Sequence, residues 1–150
     1  MFRLLSLGTC LAIAASTANA QDVDSAIKAR KAHMSLYGYH LGVLGAMAKG
    51  ETEYNAEIAS AVAGDLAKLA STRQATYWPP GSDNSVAKNT RLLPAAWEKI
   101  DDVIAKAQDL SKAATAMAET AGDGIEALQA GVGQVGPACG ACHKPYRAPE

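Results

Sequence analysis

Three residues that can bind or react with a cofactor fall together near the C-terminal end, in Cys139-Gly140-Ala141-Cys142-His143. On a helix, residues at i and i+3 share a face, so Cys139 and Cys142 would point the same way, with His143 directly after them. Two thiols at this spacing can each add to one vinyl group of a porphyrin, giving two thioether bonds. The imidazole beside them then lies beneath the porphyrin centre, where iron takes its proximal ligand. The C-x-x-C-H pattern is the attachment signature of c-type haem, and it predicts one covalent haem c held by Cys139, Cys142 and His143. Two other chemistries use similar residues. A thioredoxin-type dithiol also reads C-x-x-C, but it follows a strand in a βαβ pattern, and nothing strand-like precedes residue 139. A closed zinc site needs four ligands, and the fourth would have to be His33 or His40, both far off in sequence.

The elements that must position this motif are helical. The chain is rich in Ala and poor in aromatic and β-branched residues, which favours helix. A first helix is predicted over 23–49, with Ile27, Arg30, Met34, Tyr37, Leu41, Leu44 and Ala48 spaced by three and four. Asp22 or Asp24 can cap its start and Gly50 its end. Gly38, Gly42 and Gly45 inside it suggest close approach by a neighbouring helix or a flat ligand. A second helix is predicted over 54–71, with Ile58, Val62, Leu66 and Leu69 inward. Pro79-Pro80-Gly81 and the polar run after it forbid regular helix across 72–90, and Trp78 is expected to pack this loop onto the rest.

A third helix is predicted from about 91–94 to 121, with Trp97, Ile100, Ile104, Ala107, Ala114 and Met117 as its stripe. Gly122-Asp123-Gly124 breaks it, and a fourth helix over 125–146 carries the cysteines. Pro137 should kink or loosen that last helix just before Cys139. The fold class is therefore all-α, an antiparallel four-helix bundle with a C-terminal haem-attachment helix. His33 and His40 are expected at the surface or between helices.

The N-terminal segment carries an address. Arg3, an apolar run over 4–15 and Ala18-Asn19-Ala20 make a Sec-type signal peptide over 1–20, with cleavage before Gln21. Residues 21–150 then form one domain, and its only cysteines are those of the haem motif. Removing Arg3 leaves 13 basic and 15 acidic residues, a formal charge of −2. That balance argues against a nucleic-acid partner, and the signal segment is too short for a stable membrane span. The expected location is the periplasm.

An exported chain of this size with C-x-x-C-H close to its C-terminus resembles the class II c-type cytochromes, the cytochrome c′ family with its low-spin, methionine-ligated members. The resemblance extends to His143-Lys144-Pro145-Tyr146-Arg147, to Arg30 and Met34, to Leu44-Gly45-Ala46-Met47-Ala48-Lys49-Gly50 and to Trp97. It implies thioethers at Cys139 and Cys142, proximal ligation by His143, Arg30 near a haem propionate and Arg147 beside the proximal histidine. Met34, on the face of Arg30, matches the position facing the distal side of the iron.

Two functions follow. If the Met34 thioether ligates iron, the protein is a one-electron carrier meeting redox partner proteins by weak, transient contact. This is the expected function, and the run from Leu44 to Gly50 looks more like that low-spin branch. The alternative is a five-coordinate iron that binds nitric oxide or carbon monoxide beneath apolar side chains. No catalytic arrangement is present, so no enzyme activity is expected. Family members are monomers or homodimers paired through the first two helices.

Overall fold

The structure, a computed structural model, describes residues 15–149. Most of the expected signal peptide, residues 1–14, lies outside the described residues. Five helices follow in order: α1 Ala15–Ala48, α2 Ala56–Ser71, a four-residue α3 Ala95–Glu98, α4 Ile100–Thr120 and α5 Ile125–Tyr146. A 3-10 turn, Ala75–Tyr77, interrupts the long α2–α3 connection. Among the described residues there is no sheet, only one isolated antiparallel bridge between Leu92 and Arg147.

The four long helices form the bundle. α1 packs on α2 and α5, and α4 packs on the same two neighbours. The short α1–α2 and α4–α5 connections make those pairs antiparallel. The Ala-rich sequence continues α1 upstream of Asp22 and Asp24, so both acids lie inside the helix rather than capping it. Its end matches expectation. Gly50 takes φ +74°, and the N–H groups of Gly50 and Glu51 donate to the carbonyls of Met47 and Ala46, the glycine-terminated Schellman pattern. α2 is capped by the Asn55 side chain, which accepts from the Ile58 N–H.

Several packing expectations change. In α2 the buried face is Ala59, Ala63, Leu66 and Ala70, and Ile58 stays exposed. The third predicted helix is two helices. The backbone leaves helical geometry at Lys99, and α4 restarts with a different phase. Val103, Ala114 and Met117 are its buried residues, while Ile100 and Ile104 face solvent and Ala107 is exposed. The physical cause is upstream: the Trp97 indole N–H donates to the Asp83 carboxylate at 2.8 Å and Leu93 N–H to the Tyr146 carbonyl at 2.9 Å. These bonds orient the short α3 independently of α4.

α5 is helical without a break through Pro137 and Pro145, so the expected loosening does not interrupt it. A Cβ on Gly38, Gly42 or Gly45 would meet nothing within 4 Å, so no element approaches them closely. The close approach is at Gly131 instead, where an added Cβ would lie 2.9 Å from Met117 Cβ.

Two hydrophobic clusters fill the interior. The larger joins Tyr37, Leu44, Met47, Leu66, Met117, Leu128 and Val135 across all four long helices. The smaller joins Leu92, Ala96, Val103 and Tyr146. The last turns of α5 pass between them.

Candidate functional site

The two cysteines carry free thiols on successive turns of α5, and both are half-buried. Cys139 packs against the larger cluster, together with Met34 and Leu41. Cys142 packs against the smaller one, together with Trp78 and Trp97. Burial is the main influence on both thiols and pushes both pKa values up. A redox-active dithiol needs the opposite, an electropositive setting that favours thiolate. Among the described residues, no group of three or more His, Cys, Asp or Glu side chains converges to hold a metal ion. The zinc alternative therefore lacks its ligands. Two half-buried neutral thiols against apolar surface, with an imidazole directly after them, fit an apolar macrocycle fixed at two points.

His143 is half-buried at the end of α5. Burial first, then the Arg147 and Arg91 cations, hold its imidazole below the usual histidine pKa. A neutral ring nitrogen keeps the lone pair a metal requires. Arg147, the C-cap of α5, is exposed; its N–H donates to the His143 carbonyl at 3.0 Å, and it bridges to Leu92. The chain end is fixed further by Ala148 N–H to the Arg91 carbonyl and Arg91 Nε–H to the Ala148 carbonyl, both at 2.8 Å. Tyr146, buried one turn after Cys142, donates its hydroxyl to Asp102 on α4.

Arg30 reaches the long loop that follows α2. Its side chain is buried, and its two terminal nitrogens donate to the Tyr77 carbonyl at 3.1 Å, Ser82 Oγ at 3.0 Å, the Ser82 carbonyl at 2.9 Å and Thr90 Oγ1 at 2.9 Å. The guanidinium also lies 4.7 Å from the centre of the Trp78 ring. Arg30 thus pins the long loop to α1, and Trp78 packs as expected. His33 is an interhelix histidine, with Nε2 3.1 Å from the Leu69 carbonyl, and His40 Nδ1 lies 2.7 Å from the Leu36 carbonyl. The structure therefore brings Cys139, Cys142, His143 and Arg147 together at one end of α5 and packs Met34 against the same apolar cluster as Cys139. Tyr37 is a buried member of that cluster. Its place on the apolar stripe of α1 was the available signal, and its buried hydroxyl sets it apart from the aliphatic residues.

These contacts define a class: an all-α bundle that takes a c-type haem on its last helix. The family model described as Cytochrome C' matches residues 25–147. The chain belongs to the cytochrome c′ family and carries one covalently attached haem c. It is 40% identical over 129 residues to a cytochrome c-554 from Cereibacter sphaeroides, covering 86% of this chain and 97% of that protein. Its structure is similar to that of a cytochrome c′ from Rhodobacter sphaeroides, with TM-score 0.83, 35% identity and coverage of 85% and 98%. It is also similar to a nitric oxide complex of a leucine-to-alanine mutant of cytochrome c′ from Alcaligenes xylosoxidans, with TM-score 0.73, 26% identity and coverage of 85% and 97%. Proteins of this family are not enzymes.

Family membership corrects the expected function. The cytochrome c′ family keeps a five-coordinate iron held by histidine alone and open to gas, so the methionine-ligated one-electron carrier is not the reading for this chain. Met34 is half-buried on the apolar cluster, where a flexible thioether side chain serves as packing. No helix among the described residues is long and apolar enough to cross a membrane.

Proposed function

We propose that the chain, exported to the periplasm after removal of residues 1–20, binds nitric oxide or carbon monoxide at a five-coordinate haem c. In this reading Cys139 and Cys142 anchor the haem, His143 is its only protein ligand, and Arg147 stands beside that histidine. When bound, the haem supplies an iron centre able to take a diatomic gas. The chain's own residues supply the rest. α5 presents Cys139 and Cys142 on successive turns, and the links from Leu92, Arg91 and Leu93 to Arg147, Ala148 and Tyr146 hold the segment around His143 in place.

The observation that carries this reading is the apolar cluster against which Cys139 packs. Met34, Leu41 and Val132 pack against the same cluster of Leu, Met, Ala, Val and Tyr as Cys139, and apolar surroundings favour a small neutral ligand. The nitric oxide complex in the same fold adds weight. Titrating the ferrous holo-protein with carbon monoxide tests it. The absorption spectrum should shift with a single saturable transition, and a spectrum unmoved at saturating gas would reject it.

A further inference from the structure

Thr90, half-buried near the end of the long loop, stands where two sets of hydrogen bonds meet. Its hydroxyl oxygen accepts from Arg30 Nη2 at 2.9 Å and from the Leu92 N–H at 3.2 Å. The first bond comes from α1. The second comes from a segment that runs along the chain end beyond α5. That segment, 91–93, pairs with 146–148 as a short antiparallel strap. Ala148 N–H donates to the Arg91 carbonyl at 2.8 Å, Leu93 N–H donates to the Tyr146 carbonyl at 2.9 Å, and Leu92 bridges to Arg147 between them. Arg91 Nε–H donates to the Ala148 carbonyl at 2.8 Å and closes the strap. Asn84 N–H, from the same loop, donates to the Leu92 carbonyl at 2.8 Å.

The strap lies one turn from His143. Arg147 N–H donates to the His143 carbonyl at 3.0 Å, so a shift of the strap carries the last turn of α5 with it. The other end of the path is a fixed point. Arg30 is buried and is also held by the Tyr77 carbonyl and by both oxygens of Ser82. An unbroken series of hydrogen bonds thus runs from α1 through Thr90 and the strap to the residue behind His143. Water can replace the guanidinium as a donor to Thr90, but water is not attached to α1. The energy of that bond is replaceable; its positional information is not.

We propose that Thr90 is a positioning residue for His143: it ties the strap at the end of α5 to α1 and so limits how far that histidine can move. This rests on the five-coordinate reading above, in which His143 is the only protein ligand. A proximal imidazole has to follow the iron when a gas binds on the opposite side. A strap anchored to α1 resists that movement, and the resistance is subtracted from the affinity for the gas. Thr90 therefore sets the hold on the gas without touching it.

Resonance Raman spectra of the ferrous, gas-free holo-protein test this through the iron–histidine stretch, a band that five-coordinate iron gives. Thr90→Val keeps the shape of the side chain and removes its hydroxyl. It should shift that band and speed hydrogen–deuterium exchange over 146–148. It should also slow carbon monoxide release about threefold, the scale of one net hydrogen bond. Thr90→Ser restores the acceptor and should return every readout to the wild-type value. Arg30→Ala should move the band in the same direction, and adding Thr90→Val to it should move the band no further, as expected for two residues on one path. Should Arg30→Ala fail to take up haem, the two Thr90 variants decide. A band and a release rate unmoved in Thr90→Val, or moved equally in Thr90→Ser, overturn this inference alone. A wild-type protein without an iron–histidine band overturns the five-coordinate reading with it.

Discussion

Replacing Arg30 with Ala tests how the bundle holds its long loop. A hydrogen bond to a charged donor contributes about 1.5–3 kcal/mol, but the four made by this guanidinium share one group and do not add. The partners divide by burial. Ser82 is fully buried (0% exposed) and supplies two acceptors, its hydroxyl and its carbonyl, while Tyr77 and Thr90 are only half-buried. Water can replace the lost bonds at Tyr77 and Thr90, whereas those at Ser82 are left unmade. The two Ser82 bonds dominate, giving a loss of about 3–5 kcal/mol, a large share of the ~5–15 kcal/mol typical of a domain. Urea unfolding of the holo-protein measures it, within a cycle that includes Ser82→Ala and the double variant. The coupling should be about 1.5–3 kcal/mol. Arg30→Lys should not restore stability, because an ammonium cannot span the four acceptors. The reasoning fails if Arg30→Ala costs less than about 1 kcal/mol, or if Ser82→Ala has the same effect with and without Arg30.

Two further perturbations probe the two sides of α5. The Asp102 bond, followed by burial, pushes the Tyr146 phenol up to about 12. A raised folded-state value gives stability that is whole below the unfolded value near pH ~10 and is lost as pH rises through about 12. At the acid end the same bond, followed by that from Lys106, holds Asp102 below the usual carboxylate range. This contribution is present above pH ~4 and lost as pH falls through the folded value. Urea midpoints against pH should therefore slope less in Tyr146→Phe than in wild type at both ends; parallel curves would reject the pairing. Met34→Ala removes packing against the cluster that Cys139 also touches. It should cost about 2 kcal/mol, the low end for a half-buried Met, and leave the gas-free spectrum unchanged. Carbon monoxide uptake by stopped flow should be about tenfold faster, a barrier lower by ~1.4 kcal/mol, and a changed gas-free spectrum would contradict the packing role.

Local signals carried much of this molecule. Gly50 and the Gly122-Asp123-Gly124 break act on their own backbone, so the end of α1 and the start of α5 followed from sequence, as did the inward stripe of α1 from Ile27 to Leu44. The cysteine-histidine motif was legible because its chemistry fixes its spacing. What escaped depends on partners far along the chain. The break at Lys99 reflects bonds from Trp97 to Asp83 and from Leu93 to Tyr146, and once it shifts the helix phase, Ile100 and Ile104 turn outward. Arg30 finds acceptors 47 to 60 residues away, which no periodicity encodes. Met34 showed the limit most clearly. Its place on the stripe was right, but a thioether at that position suits a ligand and a core side chain equally.

The coordination of the iron before any gas is added tests the central claim, that this chain holds its haem from one protein side only. Electron paramagnetic resonance of the ferric holo-protein at neutral pH, with the absorption spectrum of the reduced form, reads it directly. The account predicts a high-spin ferric signal and a broad reduced band, as His143 alone would give. A low-spin ferric signal with a sharp reduced α-band, unmoved by carbon monoxide, would show a second protein ligand and contradict it.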